Sequence, residues 1–174
     1  MDSTSQVVLE PLPKDQASIL DNLAQLYAHD FSEHVPLELG PNGRFEVSFG
    51  DKWWTTEDHF AFLIRTGKSL AGFALARKGS RVTGAPDVMD VAEFFVARGF
   101  RRKSVGTNAA HALFESFPGS WDVRVRKTNA AAKRFWSHAI ATFVGRPVPS
   151  RDFSIEGVDW DVIPFAPQMR QGDV

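Results

Sequence analysis

Apolar residues recur along this chain with two spacings, and the stretch from residue 90 to residue 117 contains both. A nearly continuous apolar run over residues 91–96 carries a single acid, Glu93. From Val105 onward, apolar residues return every three or four positions until Pro118 ends the pattern. A short continuous run is typical of a buried strand, and the second spacing is typical of an amphipathic helix. The stretch therefore predicts a strand, a turn and a helix.

The same two spacings divide the rest of the chain. Helices are predicted over residues 15–31 and 129–143, each with one apolar face. Short runs rich in apolar and aromatic residues predict strands at 7–9, 45–47, 60–64, 69–76, 121–125, 153–155 and 160–165. Strands followed by two strand–helix units indicate an α/β fold with a mixed sheet, and we expect one domain over residues 1–174.

Composition excludes several classes of protein. The 174 residues are 43% hydrophobic and 24% charged, which is ordinary for a globular protein. No apolar run approaches the roughly 20 residues that cross a bilayer, and the N-terminus lacks the basic start of a secretion signal. We therefore expect no membrane association and a cytoplasmic location. The absence of cysteine excludes disulfides, thiolate metal sites and acyl-cysteine intermediates.

The net charge of −1 conceals an uneven distribution. Residues 98–134 hold nine Lys or Arg and two Asp or Glu, whereas the rest of the chain holds 11 Lys or Arg and 19 Asp or Glu. A basic centre between acidic flanks suits an anionic cofactor and a cationic acceptor. Chance clustering on a solvated surface is the alternative.

The turn between the predicted strand and helix has the properties of an anion site. The first N–H groups of a helix lack partners within it, and the helix dipole places partial positive charge there. A turn of small residues with basic neighbours lets phosphate oxygens approach these donors. The segment 101–106, Arg-Arg-Lys-Ser-Val-Gly, contains neither GxxxxGK[ST] nor GxGxxG.

This segment instead resembles the R/Q-x-x-G-x-G/A turn of the GCN5-related N-acetyltransferase (GNAT) superfamily, with Ser104 at the first glycine position. A second segment, 129–136, resembles the family's N-x-x-A-x-x-Φ-Y helix start. The chain is similar to the small predicted acetyltransferases of that superfamily over nearly its whole length. The resemblance implies a mixed, mostly antiparallel sheet with flanking helices and a V-shaped split between the strands that the family numbers as fourth and fifth, which correspond here to 91–96 and 121–125.

The resemblance also implies acetyl-CoA as cofactor, bound where these two strands part. Backbone groups of Phe95 and Val96 would hold the pantetheine arm and polarise the thioester carbonyl. The diphosphate would lie on Arg101, Arg102, Lys103, Ser104, Val105, Gly106 and Thr107. Asn129, Ala132 and Trp136 would contact the cofactor, although Asn129 is equally suited to cap a helix. Lys103, Lys133 or Arg134 would meet the 3′-phosphate.

Glu93 is the candidate general base of the implied reaction, in which an amine attacks the thioester directly in a ternary complex. Burial would raise the pKa of its carboxyl toward the range useful for accepting a proton from an ammonium. The alternative is a structural ion pair with an arginine such as Arg124. Trp136 stands where many family members have an acidic tyrosine. The leaving thiolate would then depart unassisted or take a proton from water or His138.

The acceptor site is predicted from an aromatic and acidic set suited to a cationic amine. Tyr27, Phe31 and Trp54 are the candidate contacts, with Asp30, Trp53, Glu57 and Asp58 also available. The alternative is that the tryptophans are core residues. His29, Glu33 and His34 lie close in sequence, but without further spaced ligands they indicate a solvated face, and we expect no metal site.

Two other functions remain open from the sequence. Ser104 and the missing tyrosine are compatible with a non-catalytic acyl-CoA sensor. A polyanion-binding domain is disfavoured because aromatic residues do not interleave with the basic run, so we expect no nucleic acid partner. The favoured function is an N-acetyltransferase whose acceptor is a small-molecule or peptide amine. Aromatic residues in the C-terminal hairpin are compatible with a homodimer.

Overall fold

A computed structural model of the chain describes residues 6–167, which form seven strands and four α-helices. The strands are β1 (Val7–Pro11), β2 (His59–Thr66), β3 (Ser69–Lys78), β4 (Met89–Val96), β5 (Trp121–Arg126), β6 (Arg151–Ile155) and β7 (Val158–Phe165). The helices are α1 (Ala17–Phe31), α2 (Lys52–Thr55), α3 (Val105–Ser116) and α4 (Ala130–Val144). Short 3-10 turns precede α1 at Lys14–Gln16 and follow β4 at Arg98–Phe100.

The sheet has the strand order β1-β2-β3-β4-β5-β7-β6. Strands β1 and β2 are antiparallel, as are β5 with β7 and β6 with β7, whereas β4 and β5 run parallel. The parallel register joins Met89–Val91 to residues 121–123. The predicted α/β fold with a mixed sheet is therefore confirmed, and the V-shaped split stays a prediction.

The strand predicted over residues 45–47 is wrong, because a side chain takes the hydrogen bonds that a neighbouring strand would supply. The Phe45 N–H donates to Gln25 Oε1 at 2.9 Å, and Gln25 Nε2 donates to the Phe45 carbonyl at 3.1 Å. Only an isolated bridge to Leu39 has strand character there among the described residues. The short helix α2, which carries both Trp53 and Trp54, was not predicted from the sequence.

Contacts divide the described chain into two compact units. The first contains the described residues up to Ala76 together with Ala92–Ala109. Its larger core cluster joins residues of α1, α2 and β2–β4, including Leu20, Leu23, Trp53, Leu63, Phe73 and Phe95. A second cluster contains Val96, with Val105 and Ala109 of α3. Phe95 and Val96 thus enter different clusters, as expected for successive residues of a strand.

The second unit contains Arg77–Val91 and the described residues from Ala110 onward. Its core is built around Phe114, whose ring lies 5.2 Å from Trp121, 5.2 Å from Phe143 and 4.8 Å from Phe165. A fully buried carboxylate, Asp90, accepts hydrogen bonds from two arginines of the same unit. No helix among residues 6–167 is both long and apolar enough to span a membrane.

Candidate active site

The acid predicted as the general base forms a hydrogen bond with the only tyrosine of the chain. Glu93 lies in β4 and is half-buried. The hydroxyl of Tyr27, in α1, donates a hydrogen bond to Glu93 Oε2, with 2.5 Å between the two oxygens. A hydrogen bond to the ionised form of a carboxyl group favours that form. Arg124, the partner considered from the sequence, donates to Asp90. The carboxylate of Glu93 is therefore held by a neutral hydroxyl donor from another element.

Aromatic rings surround the Tyr27 side of this pair. The Tyr27 ring stacks on Phe31 at 5.4 Å and meets Phe73 and Phe95 edge-on at 5.8 and 6.1 Å. Phe49 lies 6.1 Å away and was not predicted to belong to the site. Offset and edge-on ring contacts of this kind fix ring orientation as well as burying area. Tyr27 and Phe31, two predicted acceptor contacts, are thus brought together beside Glu93.

The two tryptophans of α2 have structural hydrogen bonds. Trp54 Nε1 donates to the Leu12 carbonyl at 2.7 Å, and Trp53 Nε1 donates to the Phe49 carbonyl at 3.1 Å. Trp53 is buried, and Trp54 packs against the same core cluster. These contacts favour the core alternative for Trp53. Acceptor contact by Trp54 stays a prediction, and Glu57 and Asp58 are exposed.

A glycine in β3 lets two backbones approach closely at the end of β4. A Cβ atom added to Gly72 would lie 1.9 Å from the Phe95 carbonyl oxygen. The Ala97 N–H donates to the Ala71 carbonyl at 2.8 Å, one residue before Gly72. The backbone of Phe95 and Val96, predicted to hold the pantetheine arm, therefore has a position that only glycine at residue 72 permits.

The turn before α3 contains two left-handed residues other than glycine. Arg101 is extended, with φ −72° and ψ 159°, whereas Arg102 has φ 59° and Ser104 has φ 60°. Successive backbone N–H groups in a turn can line a concave site that binds anions. For residues other than glycine, the left-handed conformation costs about 1–2 kcal/mol each.

The start of α3 adds further donors to this turn. The first helical hydrogen bond runs from the Asn108 N–H to the Ser104 carbonyl at 2.9 Å. The N–H groups of Val105, Gly106 and Thr107 precede that bond and have no partner within the helix. Val105 is buried, and residues 101–104 are exposed. Buried Val105 anchors the turn while its basic residues face solvent, and this donor set fits a diphosphate.

The basic side chains of the turn are used in different ways. Arg101 pairs with Asp30 of α1 and also donates from Nε to the Val96 carbonyl at 2.7 Å. Lys103 Nζ donates to the Gly99 carbonyl at 3.0 Å. Partial burial acts to raise the pKa of Asp30, but hydrogen bonds from Arg101 and Arg98, together with their charges, lower it below its usual value.

The second predicted motif forms the start of α4. Asn129 Oδ1 accepts from the Ala132 N–H at 2.9 Å, so the predicted N-cap is confirmed. Trp136 is buried, and its ring lies 4.9 Å from Phe135 and 6.3 Å from Phe114. Its indole is thus part of the core of the second unit. Contacts of Asn129, Ala132 and Trp136 with a cofactor stay predictions.

The other candidate groups of the second unit lie on its surface. Lys133 Nζ pairs with Asp161 Oδ1 at 2.8 Å, whereas Arg134 and His138 are exposed. Within residues 6–167, no group of three or more His, Asp or Glu side chains is arranged to hold a metal ion.

Comparison with known proteins connects this geometry to one family. The family model described as "Acetyltransferase (GNAT) family" matches residues 20–139. This range includes the Tyr27–Glu93 pair, the turn before α3 and most of α4. No curated protein matches the sequence.

Solved structures share the fold at low identity. An acetyltransferase from Thermus thermophilus superposes with a TM-score of 0.67 at 15% identity, over 93% of this chain and 99% of that one. A probable GNAT-family acetyltransferase from Chromobacterium violaceum gives 0.58 at 18% identity, over 93% and 83%. Spermidine N-acetyltransferase from Vibrio cholerae, in complex with CoA and spermine, gives 0.56 at 12% identity, over 94% and 96%.

Proposed function

This chain belongs to the GNAT acetyltransferase family, and on that premise we propose that it transfers an acetyl group from acetyl-CoA to a primary amine by direct attack in a ternary complex. Acetyl-CoA, when bound, supplies the acetyl group as an activated thioester. The observation that carries the proposal is the Tyr27–Glu93 hydrogen bond of 2.5 Å beside an aromatic cluster. This contact supports a Glu93 carboxylate that is oriented to accept a proton from the amine.

Glu93 acts as the general base in this proposal. The amine loses a proton to the carboxylate, directly or through one water, as its nitrogen bonds to the acetyl carbon. The carbon–sulfur bond of the thioester breaks, and CoA leaves as a thiolate that takes a proton from water. Tyr27 orients the carboxylate by its hydroxyl, and Phe31 contributes aromatic surface that favours a cationic group by cation–π attraction. The spermine complex of the Vibrio cholerae neighbour supports an amine as the class of acceptor.

The turn at residues 101–107 binds the diphosphate through its backbone N–H groups. The turn conformation at Arg102 and Ser104 supports this role, as do the first N–H groups of α3. The backbone around Phe95 and Val96 holds the pantetheine arm and polarises the thioester carbonyl. Trp136 supplies no acid, because an indole N–H is only a hydrogen-bond donor.

An assay of thiol release tests the proposal. The purified chain is incubated with acetyl-CoA and a panel of amines, and free thiol is followed with a thiol-reactive dye. Because the chain has no cysteine, the protein contributes no background signal. We expect amine-dependent thiol release, with matching N-acetylated product by mass spectrometry. Thiol release that is independent of every primary amine, or acetylated product on oxygen alone, would contradict amine transfer.

A further inference from the structure

One carboxylate of α1 binds two arginines at the N-terminal end of the proposed diphosphate turn. Asp30 Oδ1 accepts from Arg98 Nη2 at 2.7 Å, and Asp30 Oδ2 accepts from Arg101 Nη2. The Asp30 side chain is 20% exposed, compared with 63% for Arg98 and 42% for Arg101. The acid is thus the more buried member of both pairs, and each of its oxygens takes a different arginine.

Arg101 also connects Asp30 to the end of β4. Its Nε donates to the Val96 carbonyl at 2.7 Å, and its guanidinium carbon lies 5.8 Å from the Phe95 ring centre. The planar guanidinium makes several directed hydrogen bonds at once, which a lysine ammonium does not reproduce. Arg101, the first residue of the turn, therefore links the turn to α1 and to β4 through one rigid guanidinium group.

The turn that follows depends on such support. Four basic residues, Arg98, Arg101, Arg102 and Lys103, lie within six positions, and their charges repel one another. Arg102 and Ser104 have φ values of 59° and 60° without being glycine. Residues of this kind keep a left-handed conformation only where the surrounding contacts fix it. Asp30 lies at the centre of the contacts that fix Arg101, the residue immediately before Arg102.

We infer that Asp30 is a positioning residue for the cofactor: by fixing Arg101, it holds the following backbone N–H groups in their diphosphate-binding arrangement. This inference rests on the proposed function of the turn. It also predicts that removal of Asp30 changes CoA affinity in the direction opposite to the one expected from charge alone. Removal of an acid near a phosphate site should strengthen anion binding by charge alone, whereas loss of a positioning residue should weaken it.

The test is the affinity of the purified chain for CoA, measured by calorimetry. We expect Asp30→Asn to weaken CoA binding about tenfold, which corresponds to about 1.4 kcal/mol. Glu33→Gln is the matched control, because Glu33 contacts the same Arg98 at 3.7 Å and its side chain is 69% exposed. The control removes the same charge close by, and we expect its affinity to stay within about twofold of wild type.

A double-variant cycle shows whether Asp30 acts through Arg101. We expect Asp30→Asn combined with Arg101→Gln to bind no more weakly than the weaker single variant, because coupled residues give non-additive effects. If thermal unfolding shows that Asp30→Asn does not fold, Arg101→Lys carries the test. It keeps the charge without the planar geometry, and we again expect binding about tenfold weaker.

The outcomes separate this inference from the proposed function. If wild-type chain does not bind CoA, the function proposed for the turn fails. If wild type binds and Asp30→Asn, or Arg101→Lys where that variant carries the test, binds equally well or more tightly, only the positioning role is overturned. Fully additive losses in the double variant would also overturn it. Because the pKa of Asp30 is lowered, its carboxylate stays ionised at the neutral pH of these titrations.

Discussion

Tyr27 and Glu93 lie 66 positions apart in the sequence, and the hydroxyl of the first donates to the carboxylate of the second at 2.5 Å. The contact joins α1 to β4 beside the aromatic cluster of the first unit. A carboxylate that must accept a proton from an amine has to keep one orientation while remaining ionised. A neutral hydroxyl donor meets both requirements, because it fixes one oxygen and favours the charged form.

Glu93→Gln is expected to leave CoA affinity within about twofold of wild type and to lower kcat about 10²–10⁴-fold, the range for loss of a general base. Glutamine keeps the size of the side chain and cannot accept the proton. Steady-state kinetics of thiol release and calorimetry measure the two effects. Glu115→Gln, an exposed acid of α3, is the control and should not alter either value. Turnover that is unchanged at every pH would remove Glu93 from the mechanism.

Tyr27→Phe keeps the ring and removes the hydroxyl donor. The carboxylate of Glu93 then loses the donor that fixes its Oε2 atom. We expect kcat to fall about tenfold, with a loss of stability of about 1 kcal/mol, while CoA affinity stays close to that of wild type. A folded variant with the kcat of wild type would mean that the hydroxyl does not position the catalytic carboxylate.

Ser104→Gly tests the left-handed conformation of the turn. Serine at φ 60° carries a strain of about 1–2 kcal/mol, and glycine loses about 0.5–1 kcal/mol through greater freedom of the unfolded chain. The free energy of unfolding in urea should therefore rise by about 0.5–1 kcal/mol. Ser104→Ala removes the hydroxyl and keeps the strain, so it should show no such gain. A glycine variant less stable than wild type would argue against strain at this position.

Gly72→Ala tests the close approach of β3 to β4. Its Cβ would lie 1.9 Å from the Phe95 carbonyl oxygen, a backbone atom that cannot rotate away. We expect a loss of unfolding free energy of about 3 kcal/mol or more. Gly99→Ala is the control, because a Cβ there meets nothing within 4 Å, and it should stay within about 0.5 kcal/mol of wild type. Equal stability of the two variants would show that the approach is not tight.

Local signals predicted most of the fold, and long-range pairing explains what they missed. The alternation and helical spacing around Val105 and the cap at Asn129 depend on neighbours within a few residues, and both are found in the structure. The Tyr27–Glu93 contact depends on which face of α1 meets β4, which no local spacing encodes. The apolar pattern of residues 45–47 predicts a strand, but it does not show that the Gln25 side chain, and not a neighbouring strand, supplies the backbone hydrogen bonds of Phe45.

The turn before α3 likewise combines a feature that the local sequence indicates with a long-range contact that it does not. Ser104 stands at the first glycine position of the motif that this segment resembles, and the structure has φ 60° there, a conformation that glycine adopts without strain. Arg101 was predicted as a cofactor contact because it begins the segment that resembles the family's diphosphate-binding turn. Its pairing with Asp30, 71 positions earlier, gives its guanidinium a structural task that the charge alone does not indicate.

The most direct measurement is a calorimetric titration of the wild-type chain with CoA at neutral pH. The proposed diphosphate site predicts saturable binding at about one CoA per chain, with a Kd at or below about 1 mM, the upper end of typical enzyme KM values. Folded protein that gives no heat at several millimolar CoA, and no shift in thermal unfolding, would contradict it.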